Sequence, residues 1–78
     1  MSKATDILKL AREGEFGSIE NPKRGSSSRC HFWDAFNGLP VRAIKGSIGE
    51  AYARAGRMFR LEHDESVRAN SEYWGDMK

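Results

Sequence analysis

The sequence predicts a mostly α-helical fold, a small single-domain bundle of three to four short helices. Three observations carry that expectation. Ser47 is followed three residues later by Glu50, the spacing at which two otherwise unpaired helix N–H groups are satisfied reciprocally. Ile48, Ala51, Tyr52, Ala55, Met58 and Phe59 then fall within an arc of about 120° on a helical wheel. The 78 residues, 38% of them hydrophobic, suffice for one small core, because a chain this short buries only about 60% of the surface that its unfolded form exposes.

The first element is a helix that Thr5 is placed to cap, with Ala4, Ile7, Leu8 and Ala11 on one face and Gly14 as its stop. From Glu15 to Arg29 the periodicity vanishes. Asn21-Pro22 favours a turn, residues 23–29 read as a flexible basic connector, and Phe16 and Ile19 are the side chains able to pin it to the core. Residues 1–29 are thus an N-terminal helix plus flexible loop, and residues 30–76 the helical core.

Residues 30–44 admit two readings. As a helix, Ser28 caps it, Phe32, Ala35, Phe36 and Leu39 share a face, and Asn37-Gly38 ends it ahead of Pro40. As a β-hairpin at 31–44, Asn37-Gly38 is a type I′ turn between two strands. The helix is favoured because four apolar positions fit it, whereas Asp34 interrupts the buried face of a strand. The central helix follows from Ser47 to Leu61, and Gly49, Ala53 and Gly56 line one edge of it. Glycine inside a helix costs about 1 kcal/mol relative to alanine, so a close neighbour is expected there, either internal, which is favoured, or a partner chain. The register breaks at Glu62. His63-Asp64-Glu65 reads as a turn, and Val67, Tyr73, Trp74 and Met77 as the apolar arc of a short last helix.

Composition narrows the function classes. One cysteine, Cys30, forms no intramolecular disulfide and no thiolate metal cage. No apolar run approaches the roughly 20 residues of a membrane span, and the N-terminus lacks the apolar segment of a signal peptide. The expectation is a cytoplasmic protein without membrane contact. The net charge of +2 is unevenly spread: residues 1–45 hold eight Lys/Arg against five Asp/Glu, and residues 46–78 five against six. That falls short of the strongly basic footprint of many nucleic-acid-binding domains.

Trp33-Asp34-Ala35-Phe36, the helix at 47–61 and the segment Ser66 to Trp74 together resemble the layout of short phage-encoded helix-turn-helix-like proteins. The resemblance covers residues 30–76 and implies a DNA-binding regulator, with Arg68 and Ser71 as the nucleic-acid contacts. The chain departs from that pattern in its last segment, where residues 63–78 hold four acidic residues against Arg68 and Lys78, a balance that opposes docking on phosphates.

The candidate partner-binding residues are Arg54, Arg57 and Arg60, which fan across the polar side of the central helix and create a local field that a single charge would not. Lys23, Arg24 and Arg29 in the basic loop join them. Trp33 and Trp74 are expected in the core, Trp74 partly exposed. His31 and His63 are the only candidate acid–base pair for a ribonuclease-like reaction, and no spacing brings them together or supplies an orienting residue. No catalytic set, metal site or cofactor is expected. The reading is a binding protein that docks on a host protein or nucleoprotein complex, as anti-CRISPR-type phage inhibitors do; the alternative is a helix-turn-helix-like regulator, with a small ribonuclease as a distant third.

Overall fold

A computed structural model of the chain describes the backbone of residues 3–75 and the side chains of residues 3–69. Three α-helices lie among the described residues: α1 (Lys3–Arg12), α2 (Ser27–Phe36) and α3 (Ile48–Gly75). No strand occurs among them beyond an isolated bridge between Gly17 and Pro22. The mostly helical bundle is as expected, and the hairpin alternative at 31–44 is not formed.

Local chemistry explains the helix ends. Gly38 has φ +76°. Its N–H donates to the Ala35 carbonyl at 3.1 Å, and Leu39 N–H donates to the Asp34 carbonyl at 2.8 Å. This pair of bonds is a Schellman stop, so Asn37-Gly38 closes a helix and does not turn a hairpin. Gly14, with φ +85°, ends α1 in the same way, through Gly14 N–H to Ala11 and Glu15 N–H to Leu10. Thr5 lies inside α1, which already begins at Lys3, so it is not the cap. The cap of α2 is Ser26 and not Ser28: its side chain accepts from Arg29 N–H at 3.2 Å and its carbonyl from Cys30 N–H at 3.0 Å. Any of three consecutive serines has the chemistry to cap, and the first gives the longer helix. At α3, Ser47 accepts from Glu50 N–H at 3.3 Å. The return arm shifts by one residue. Ser47 N–H is already taken by the Ile44 carbonyl, and Glu50 Oε1 accepts from Gly46 N–H instead.

The break expected at Glu62 does not occur, and α3 is continuous through residues 62–65. No Gly or Pro interrupts it, and Glu62, His63 and Asp64 each have a partner that suits a helix. Glu62 accepts from Arg12 Nε at 2.8 Å, His63 stacks on Phe36 at 5.8 Å between centroids, and Asp64 accepts from Arg60 one turn earlier at 3.0 Å. The arc that included Tyr73, Trp74 and Met77, and the partial exposure expected of Trp74, lie outside the residues whose side chains are described.

The core is aromatic. Phe16, Phe32, Trp33 and Phe36 are buried with Ile7, Leu8, Ala11, Ala51 and Ala55, and Tyr52 and Phe59 pack against them. Phe32 meets Trp33 edge-on at 4.9 Å and Phe59 at 5.7 Å, within the range where aromatic pairs add to plain burial. Trp33 Nε1 donates to the Phe16 carbonyl at 2.9 Å, which satisfies the indole in the core. Ile19, in contrast, is exposed and pins nothing.

The glycine edge of α3 is explained by α2. A Cβ on Gly56 would overlap the Phe32 carbonyl oxygen and lie 3.2 Å from Ala35 Cβ, and one on Gly49 would come within 3.0 Å of His31 Cδ2. The close neighbour is internal. Through these contacts α2 runs alongside α3 in the same direction, from His31 at Gly49 to Phe36 at Phe59 and His63. α1 does likewise, from Lys3 and Ala4 at Ser47 to Arg12 at Glu62. All three helix N-termini therefore gather at one end.

Candidate functional site

A helix N-terminus carries about half a positive charge from its unpaired N–H groups. Three such ends meet around the start of α3, and four exposed cations stand among them: Lys3, Arg42, Lys45 and Arg54. Two hollows flank the 44–47 loop. One, of about 140 Å³, is lined by Lys3, Ser47, Glu50 and Arg54 between α1 and α3. The other, of about 310 Å³, lies between the starts of α2 and α3, with His31, Arg42, Ile44 and Ile48 on its walls. The loop between them holds Ile44, 82% exposed, and Ile48 is 49% exposed. Exposed aliphatic side chains ringed by cations are a surface to which an anionic partner is drawn, and on which it can also bury apolar area.

The arginines named from the sequence divide into two groups. Arg54 and Arg57 are exposed on α3, and among the described residues neither forms an ion pair. Arg60 is engaged within the fold: it bonds Asp64, donates to the Phe36 carbonyl at 3.3 Å, and its guanidinium stands 5.3 Å from the Phe36 ring centroid. It thus satisfies one of the last carbonyls of α2, a task that basic side chains perform at helix C-termini. Arg24 is also engaged, bonding Asp34 at 2.8 Å. That hydrogen bond, more than the charge of Asp34, pushes the pKa of Arg24 up, as the bonds that Arg12 donates to Glu62 do for Arg12. The segment read as a flexible connector is accordingly tied down. Lys23 N–H donates to the Phe16 carbonyl at 3.0 Å, and Cys30 Sγ donates to the Arg24 carbonyl at 3.7 Å. Lys23 is exposed and Arg29 half-buried at the first turn of α2.

Arg68 is exposed on the far half of α3, about 21 Å along the axis from Arg54. The Ser71 side chain lies outside the described residues. The α2–α3 connector spans residues 37–47, well beyond the three or four residues that join the two helices of a helix-turn-helix. His31 sits against Gly49 and His63 against Phe36, about 21 Å apart along α3, too far to share a proton-transfer step. Among the described residues no group of His, Cys, Asp and Glu is placed to hold a metal ion, and no helix is long and apolar enough to cross a membrane.

Lys3, Arg42 and Lys45 were not identifiable from the sequence. They are far apart in the chain, and only the shared direction of the helices brings them together. The serines at 26 and 47 mark two of the helix starts, but capping says nothing of which way neighbouring helices run. No protein-family model, curated protein or solved structure matches the chain.

Proposed function

We propose that this chain is a small non-enzymatic accessory protein of phage type that docks on a host protein or nucleoprotein complex inside the cell and inhibits or regulates it. One observation carries the reading: three helix N-termini and the cations Lys3, Arg42, Lys45 and Arg54 gather at one end around exposed Ile44 and Ile48. Arg57 extends this surface one turn along α3. A positive surface steers encounter with an acidic partner, and the apolar residues within it supply contact area that a bare phosphate chain would leave unused. The acidic Glu65, exposed farther along the same helix, opposes a duplex lying along α3.

The test is a pull-down from host lysate with the tagged chain, with and without nuclease. The reading expects a defined protein partner that is retained after nuclease and lost when Arg54 and Arg57 are both changed to Glu. Recovery of nucleic acid alone would instead support the regulator with a helix-turn-helix-like layout.

A further inference from the structure

The hollow between the starts of α2 and α3 differs in chemistry from the one beside α1. Its lining among the described residues is Ser27, Ser28, His31, Arg42, Ile44 and Ile48 with small residues between them, and these include no carboxylate. Glu50 lines the other hollow and is occupied by Gly46 N–H. At its base His31 packs against the Gly49 backbone: a Cβ there would press on His31 and stand 3.6 Å from Ala43 Cβ. At about 310 Å³ the hollow is at the small end of ligand sites, a size suited to one or two side chains. Ile44 and Ile48 expose apolar surface along its rim, with Arg42 in the wall and exposed Lys45 next to Ile44 in the chain.

We infer that this groove receives a short segment of another protein, an apolar side chain flanked by Asp or Glu. The apolar side chain seats against Ile44 and Ile48, and the flanking carboxylates face Arg42 and Lys45. Charge complementarity selects an acidic segment over a basic one, and the exposed isoleucines select a protein over a sugar–phosphate backbone. A few buried anchors dominate such contacts, while rim charges set orientation and encounter rate. The inference rests on the docking reading above and adds the chemistry of the segment that docks.

The experiment is selection of a displayed random-peptide library on the folded 78-residue chain, followed by affinity measurement for the enriched peptides. The expected peptides combine an aromatic or aliphatic residue with neighbouring Asp or Glu. Their binding should weaken about tenfold or more in Ile44→Asp and again in Arg42→Glu. Both residues are exposed, so the helical spectrum and melting temperature of each variant should match the parent. Enrichment of basic peptides, absence of enrichment, or binding indifferent to both variants would overturn the inference. So would a short DNA duplex that occupies the groove in an Ile44-dependent way, or Ile44-dependent self-association in sedimentation. Peptide binding is read on the isolated chain with the groove variants, and the docking surface is read separately by the pull-down. Failure of the groove alone therefore remains distinguishable from failure of the wider docking surface.

Discussion

Gly56 shows how one missing side chain positions two helices. Alanine is the better helix former by about 1 kcal/mol, so on propensity alone Gly56→Ala should stabilise the long helix. The Phe32 carbonyl and Ala35 Cβ occupy the space that a Cβ would need, and backbone does not move aside cheaply. The expected net result is destabilisation of about 1–3 kcal/mol, the usual range for overpacking, read from the midpoint of a urea titration. An unchanged or raised midpoint would mean that α2 lies farther from α3. Arg60 is a second case in which the neighbourhood decides. Three arginines on one helix look alike in sequence, yet Arg60 alone bonds a carbonyl of α2 and stands over Phe36. Its role is therefore structural, and the proposed docking role is left to Arg54 and Arg57.

At the scale of elements, the caps and the continuity of α3 are the points to test. Ser26→Ala should cost about 1 kcal/mol through loss of the bond from Arg29 N–H. Ser28→Ala, inside the first turn, should change stability by only a few tenths of a kcal/mol. Equal costs would place the cap elsewhere. Glu65→Pro should remove the N–H that bonds residue 61 and drive the proline ring into that carbonyl, a local penalty of about 3 kcal/mol or more. Helical circular dichroism should fall as the far half of α3 frays. A spectrum that matches the parent would mean a turn at 63–65.

These elements also show how far the sequence can be read. The buried face of α1, the helix over residues 30–36 and the stop at Gly38 were legible, because apolar spacing and glycine stops are local signals. The hydrophobic arc of α3 was legible only in part: Ala51 and Ala55 are buried, yet Ile48 and Met58 remain exposed, because α2 packs on the glycine edge to one side of that arc. The turn at 63–65 was misread because charged residues in a row resemble a turn, and their helix-compatible partners, Arg12 and Phe36, come from other elements. The candidate site was legible as Arg54 and Arg57 and illegible as Lys3, Arg42 and Lys45, since helix direction is a tertiary property.

The whole molecule is elongated, 47 by 25 by 23 Å. α3 alone, at 28 residues, is about 42 Å long, while α1 and α2 cover only its first half and end at Glu62 and His63. Beyond them Asp64 to Ala69 are all exposed. Among the described residues the molecule is thus polarised along its axis, with the helix N-termini and the exposed cations Lys3, Arg42, Lys45 and Arg54 at one end and the acidic Asp64 and Glu65 toward the other. Parallel alignment of three helix dipoles is not favoured by their mutual electrostatics, and packing of the aromatic core offsets it. An anionic partner at the positive end would relieve that repulsion, which ties the fold to the proposed docking.

The most direct test compares the parent chain with the Arg54→Glu, Arg57→Glu variant by titration calorimetry against the nuclease-resistant partner from the pull-down, at low and high salt. The expected result is an unchanged melting temperature, since both side chains are exposed, together with a loss of affinity of about a hundredfold or more. The parent's affinity should fall only modestly with salt, less steeply than for a ligand that releases condensed counterions. An intact fold that binds the partner as tightly with both arginines reversed would rule out docking through this face of α3.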